Sequence, residues 1–212
     1  MTLVLRDGVH AVRAGRQIIL LDETTDRYLG LTTAQACALE AGAALPPDPA
    51  LGSLMARGLL VASDRRHEID LSPAKTRPAR SLLEDDERPS WGIAATPGAA
   101  LAYRRAQRAM SSGGLAAVLA RLRRRKTRAD RCAVHRVARR FLEARAWIPV
   151  TPVCLLDSLA LLWFLDAHRL SADLVIGVKS APFEAHCWVE FGDVALNEPV
   201  LRASAFTPIL VA

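Results

Sequence analysis

The sequence predicts an α+β chain in two parts, on three observations. Short alternating or apolar runs fill residues 3–31, a proline-rich stretch interrupts the pattern over residues 75–97, and beyond it helical periods precede antiparallel strands. The 212 residues are 51% hydrophobic and 24% charged, which suits a folded chain with room for one large domain or two small ones.

Residues 9–13 alternate as a half-buried strand, residues 17–21 form an apolar run, and residues 27–31 return as the second arm of a hairpin. Thr32 or Thr33 can cap a helix through about Ala41, its hydroxyl accepting from an otherwise unpaired amide, and Gly42 with Pro46 and Pro47 ends it. Residues 49–57 fit a second short helix with Leu51, Leu54 and Met55 on one face. Gly58 stops it, and residues 59–61 close as a strand. Three strands, two helices and a closing strand outline a small winged helix-turn-helix. Prolines 73, 78, 89 and 97 and the acidic residues 84–87 mark residues 75–97 as a linker. A helical region then runs from Gly98 to Trp147 with a break at residues 111–114, and Pro149 and Pro152 end it. A very apolar helix begins near Cys154, a strand covers residues 173–178, and a hairpin covers residues 184–198 around Gly192 and Asp193.

No apolar run reaches the ~20 residues that a membrane span requires, and the N-terminus lacks a secretory pattern. Cys37, Cys132, Cys154 and Cys187 stand far apart, without metal-ligand spacing, so reduced thiols in a cytoplasm are expected. The net charge of +6 is concentrated in residues 101–150, which carry fourteen Arg or Lys against Asp130 and Glu143. No aromatic residue interleaves the arginines at 121–126 to stack on bases, so neither nucleic acid nor membrane is the expected partner.

Cys154 raises the functional question. Thr151 is a plausible cap and Pro152 suits the first helical position, which places Cys154 in a first turn with free amides and a positive dipole. That environment favours a thiolate, the nucleophilic form, and its amides can hold an oxyanion. The commoner fate of a free cysteine is inert core packing. The candidate base is His186. Strand alternation puts His186, Trp188 and Glu190 on one face and Cys187 on the other, so Cys187 reads as core and Cys154 as the thiol that meets the imidazole. His10, His67, His135 and His168 read as solvated or capping. A third group has to orient the imidazole. A two-residue turn at Gly192-Asp193 brings Asn197 to the His186 face, whereas a three-residue bulged loop brings Glu198.

The thiol followed by "AHCWVEFGDVALNE" resembles the bacterial transglutaminase-like cysteine proteases, and more narrowly the lasso-peptide B proteins, the leader peptidases of lasso-peptide biosynthesis. "IILLDETTDRYLGLTTAQACALEAG" with the later "LMARGLLV" is similar to the pyrroloquinoline-quinone-biosynthesis D-like family of leader-recognition elements. The resemblance implies a winged-helix recognition domain over residues 1–74, a linker over 75–97, and a transglutaminase/papain-like cysteine protease domain over 98–212. It implies Cys154 as nucleophile, His186 as base and acid, and Glu198 as the orienting acid. Glu198 departs from the usual Asp, so Asn197 stays open as a substitute. It further implies that the leader of a ribosomal precursor peptide adds as a strand to the small sheet, with Tyr28, Leu29, Leu54 and Met55 in the groove. Each of those four also fits an inward, core-packing pattern. A separate, asparagine-synthetase-like ATP-dependent lasso cyclase is the implied protein partner. Peptide hydrolysis is downhill and no phosphate loop is present, so no cofactor and no metal are assigned. Two rival readings use the same residues differently: a transglutaminase-like acyltransferase, and a non-catalytic winged-helix protein that binds leader or nucleic acid.

Overall fold

The computed structural model describes residues 2–42, 48–64, 69–85, 92–124 and 130–212. Three antiparallel strands, β2 (Val9–Ala14), β3 (Gln17–Asp22) and β4 (Arg27–Gly30), form a meander in that order, while β1 (Thr2–Leu5) pairs separately with β5 (Leu60–Ser63). Between β4 and β5 lie α1 (Thr33–Glu40) and α2 (Gly52–Ala56). Thr32 caps α1 through a reciprocal pair in which its hydroxyl accepts from the Gln35 amide and the Gln35 side chain accepts from the Thr32 amide. The closing strand β5 therefore completes a two-stranded ribbon with β1 and does not join the meander.

The apolar run of β3 has a physical reason: both of its faces are covered. Ile18 and Leu20 enter a cluster with Leu39, Leu51 and Leu54, whereas Ile19 and Leu21 enter the large core built by the rest of the chain. Val12 and Ala14 of β2 join that large core. Arg123 adds an ionic tie, donating to both Glu23 oxygens at 3.1 and 2.9 Å, and Glu23 also faces His10 at 3.1 Å.

Residues 75–85 are bonded to the second sheet. There β6 (Arg80–Ser81) runs parallel to β9 (Val194–Ala195), at the edge of a sheet ordered β10 (Thr207–Val211), β7 (Asp173–Ser180), β8 (Phe183–Phe191), β9, β6. Two residues make too short a strand to show a period in the sequence. His67, Pro46, Pro47, Pro89 and the acidic pair 86–87 lie outside the described residues.

The helical region is divided twice. Helix α3 (Thr96–Arg123) kinks at Gly114, whose φ of 64° and ψ of −170° are non-helical, in agreement with the expected break. A second interruption precedes α4 (Arg131–Arg145), where the Asp130 carboxylate accepts from the amides of Cys132 and Ala133. The expected unbroken run to Trp147 is corrected by that cap. Helix α5 (Cys154–Ala167) is buried from Ser158 to Leu165 and packs on α3, α4 and β8, which explains its all-round apolarity. A short α6 (Val200–Ser204) links β9 to β10. No described helix is long and apolar enough to cross a membrane.

Candidate active site

The N-cap of α5 is Val153, extended at φ −134° and ψ 117°, and not Thr151; Cys154 is the first helical residue rather than the third. The two residues before Val153 lie outside the helix, and no side chain caps its N-terminus. The amides of the first turn, including that of Cys154, therefore have no intrahelical acceptor. The approach to this tip is braced. Arg145 donates from Nε to Asp157 at 3.0 Å, from Nη1 to the Ile148 carbonyl at 3.2 Å and from Nη2 to the Val150 carbonyl at 2.9 Å. Tyr103 donates its hydroxyl to the same Asp157 oxygen.

Strand β8 brings His186 to this tip. Its Nε2 lies 2.6 Å from Glu198 Oε2, and Glu198 and Cys154 are the two groups that favour its charged form. The imidazole packs between Trp188, with ring centroids 6.2 Å apart, and Phe206, at 5.2 Å. Trp188 donates from Nε1 to the buried Glu190 at 2.7 Å, and Lys75 lies 3.0 Å from the other Glu190 oxygen and 2.9 Å from Asp173. Lys75, which the sequence placed in a linker, is thus tied to this cluster through Glu190.

Glu198, and not Asn197, meets His186, although the turn at Gly192 and Asp193 has two residues, with Phe191 opposite Val194. The ladder ends before register can decide the matter. Leu196 still donates to the Val189 carbonyl at 2.8 Å, but the Val189 amide donates to the Asn197 side chain at 2.8 Å instead of to backbone. Asn197 also donates to Ser158 at 3.1 Å. The strand is pulled out of the ladder there, and the longer Glu side chain reaches back to the imidazole. Ser81 donates to the Glu198 carbonyl at 2.8 Å and fixes the bend.

Cys187 is buried, as alternation requires, but it also touches the site. Its amide points the same way as that of Val189, toward the open edge of β8. Cys187 and His186 both act on the Cys154 sulfur, while the Cys187 thiol donates to the Ser158 hydroxyl at 4.0 Å. Strict alternation therefore could not exclude Cys187. Hydrogen bonding from Cys187 and then from His186 outweighs burial and brings the Cys154 thiol down to about 4. Burial disfavours the charged imidazole, yet its bonds to Cys154 and Glu198 bring His186 up to about 9. The Cys187 thiol is pushed well up by its bond to Cys154 and by burial. A thiol held low beside an imidazole held high favours a thiolate–imidazolium pair, the arrangement that suits a nucleophile with an adjacent acid.

Residues 98–211 match the transglutaminase-like superfamily. The chain belongs to that superfamily. Members of the transglutaminase-like superfamily are typically cysteine peptidases or acyltransferases. A 45-residue segment is 44% identical to the microcin J25-processing protein McjB of Escherichia coli, covering 21% of this chain and 22% of that protein. No solved structure matches the chain.

The four groove residues separate. Tyr28 opposes Leu21 and packs against the large core, whereas Leu29 opposes Leu20 and joins the N-terminal cluster. Leu54 is only 1% exposed inside that cluster, and Met55 is half-buried against it. Of the remaining histidines, His168 caps the C-terminus of α5 as expected, while His10 pairs with Glu23 and His135 packs edge-on to Phe191. Several arginines of the basic block are engaged internally: Arg123 with Glu23, Arg131 with Asp193, Arg139 with Asp85, and Arg145 with Asp157. Among the described residues no cluster of His, Cys, Asp and Glu could hold a metal ion.

Proposed function

We propose that this chain is a leader peptidase of lasso-peptide maturation, acting in the cytoplasm on a ribosomal precursor by Cys154–His186–Glu198 hydrolysis. The observation that carries the reading is the ordered line of thiol, imidazole and carboxylate, with Glu198 Oε2 at 2.6 Å from His186 Nε2. The likeness of a segment to a microcin-processing protein supports the substrate class.

In this reading the Cys154 thiolate attacks the carbonyl carbon at the leader–core junction, and the first-turn amides of α5 hold the oxyanion. The C–N bond breaks as the His186 imidazolium gives its proton to the departing core amine, leaving the leader as a thioester. His186 then takes a proton from water, the hydroxide adds to the thioester, and the leader leaves as a carboxylic acid while Cys154 is restored. Glu198 holds the imidazole in place throughout.

Residues 1–74 serve as a pyrroloquinoline-quinone-biosynthesis D-like, winged-helix leader-recognition element, connected through residues 75–97 to the hydrolase at 98–212. The open edge of β4 accepts the leader as an added strand, and Leu29 and Met55 offer the half-buried surface beside it. Binding the leader there raises the local concentration of the scissile bond. The freed core passes to a lasso cyclase.

The test is mass spectrometry of a precursor peptide incubated with wild type and with Cys154→Ala. A cut at one bond by the wild type alone, with peptide binding kept in the variant, is expected. Cleavage by both proteins sinks the assignment. Adding a primary amine separates the acyltransferase: an amide-linked leader instead of a leader acid would identify acyl transfer.

A further inference from the structure

The N-terminal meander reaches the strand that carries His186. Tyr28 stands on the outer strand β4, on the face that packs against the large core, and Cys154 and Ala185 pack against that same core. Its ring lies 5.6 Å from that of Phe183 at an interplanar angle of 55°. Phe183 opens β8, three residues before His186, and is 52% exposed although it is a large apolar residue. Burial first, and then the charge of Asp26, pushes the Tyr28 phenol upward, with Cys154 contributing less. Neighbouring strands carry this placement: β2 and β3 contact β7, and β2 contacts β10.

We propose that Tyr28 and Phe183 form the aromatic wall of the subsite that receives the substrate side chain beside the cleaved bond. This inference rests on the hydrolase reading of Cys154. It makes the N-terminal sheet a selector at the cut, in addition to any grip along the leader. The tilted ring pair offers flat apolar surface, which suits an aliphatic or aromatic side chain. An acidic side chain is disfavoured there, because the Asp26 carboxylate already places negative charge beside Tyr28. Neither aromatic is part of the thiol–imidazole–carboxylate line, so their loss alters selection without removing the chemistry.

The experiment is a competition in one tube among precursor peptides carrying Ala, Leu, Phe or Asp at each position flanking the cut. Products are counted by mass spectrometry for wild type, Tyr28→Ala, Phe183→Ala and Tyr28→Phe, with Cys154→Ala as the control. Ratios within one tube do not depend on how much of a variant is folded. The wild type is expected to prefer Leu or Phe over Ala at one flanking position by about tenfold or more, the range set by a few buried methylenes. Both alanine variants bring that ratio close to one and relieve the rejection of Asp, whereas Tyr28→Phe keeps the preference. Unchanged ratios in both alanine variants, on a cut that still requires Cys154, would overturn this inference alone. Absence of any Cys154-dependent cut would remove the hydrolase reading and this inference with it.

Discussion

Replacing Glu198 by Gln removes the negative charge from the imidazole's hydrogen-bond acceptor while keeping the side chain's length. A hydrogen bond to a charged group contributes about 1.5–3 kcal/mol, and about 1.4 kcal/mol corresponds to one pH unit. His186 therefore falls from about 9 by roughly one to two units. The sign follows from the two shifts. Imidazolium is stabilised below about 9 and lost as pH rises through that value, while thiolate is lost as pH falls through about 4, so the pair exists between them. At pH 9 the wild type retains about half of its plateau kcat/KM, and the variant roughly a tenth to a hundredth of its own. The assay is the pH profile of precursor cleavage. NMR titration of the imidazole, assigned by its disappearance in His186→Ala, reports the same value without substrate. An alkaline limb still near 9 in Glu198→Gln, with only a uniform drop in rate, would refute the argument that this carboxylate sustains the ion pair.

Two further outcomes test the surroundings. Cys187→Ala removes a thiol donor but keeps the amide, so the Cys154 thiol should titrate above about 4. Iodoacetamide labelling across pH, read on the Cys154 peptide to separate it from exposed Cys37 and Cys132, should show reactivity at pH 5 falling several-fold; an unchanged profile counts against the thiol bond. Lys75→Met strips the cation from Glu190, which is fully buried. Breaking a buried pair costs about 3 kcal/mol, or a fall in melting temperature of roughly 6–12 °C for a chain of this size. The double variant Lys75→Met/Glu190→Gln should recover much of that loss, and a melt unchanged by Lys75→Met would show that Glu190 does not depend on it.

The sequence by itself determined the elements whose signals are local. The Thr32 cap, the β3–β4 hairpin, the break around Gly114 and the apolar α5 each follow from neighbours within a few residues. It also named Cys154 and His186 as candidates, since a thiol at a helix start and a histidine on an alternating strand are both legible as pattern. Tertiary structure decided what depended on where the chain leaves a regular element. Counting along the hairpin favoured Asn197 for a two-residue turn, yet the Asn197 side chain captures the Val189 amide, ends the ladder and hands Glu198 to the imidazole. Alternation set Cys187 apart from the site, but Cys187 acts on the Cys154 thiol as strongly as His186 does. Lys75 looked like linker because its partners Asp173 and Glu190 lie about a hundred residues on, beyond the reach of any local pattern. Tyr28 met Phe183 of β8 for the same reason: one strand carries alternate side chains to two different cores, and only packing shows which face meets which.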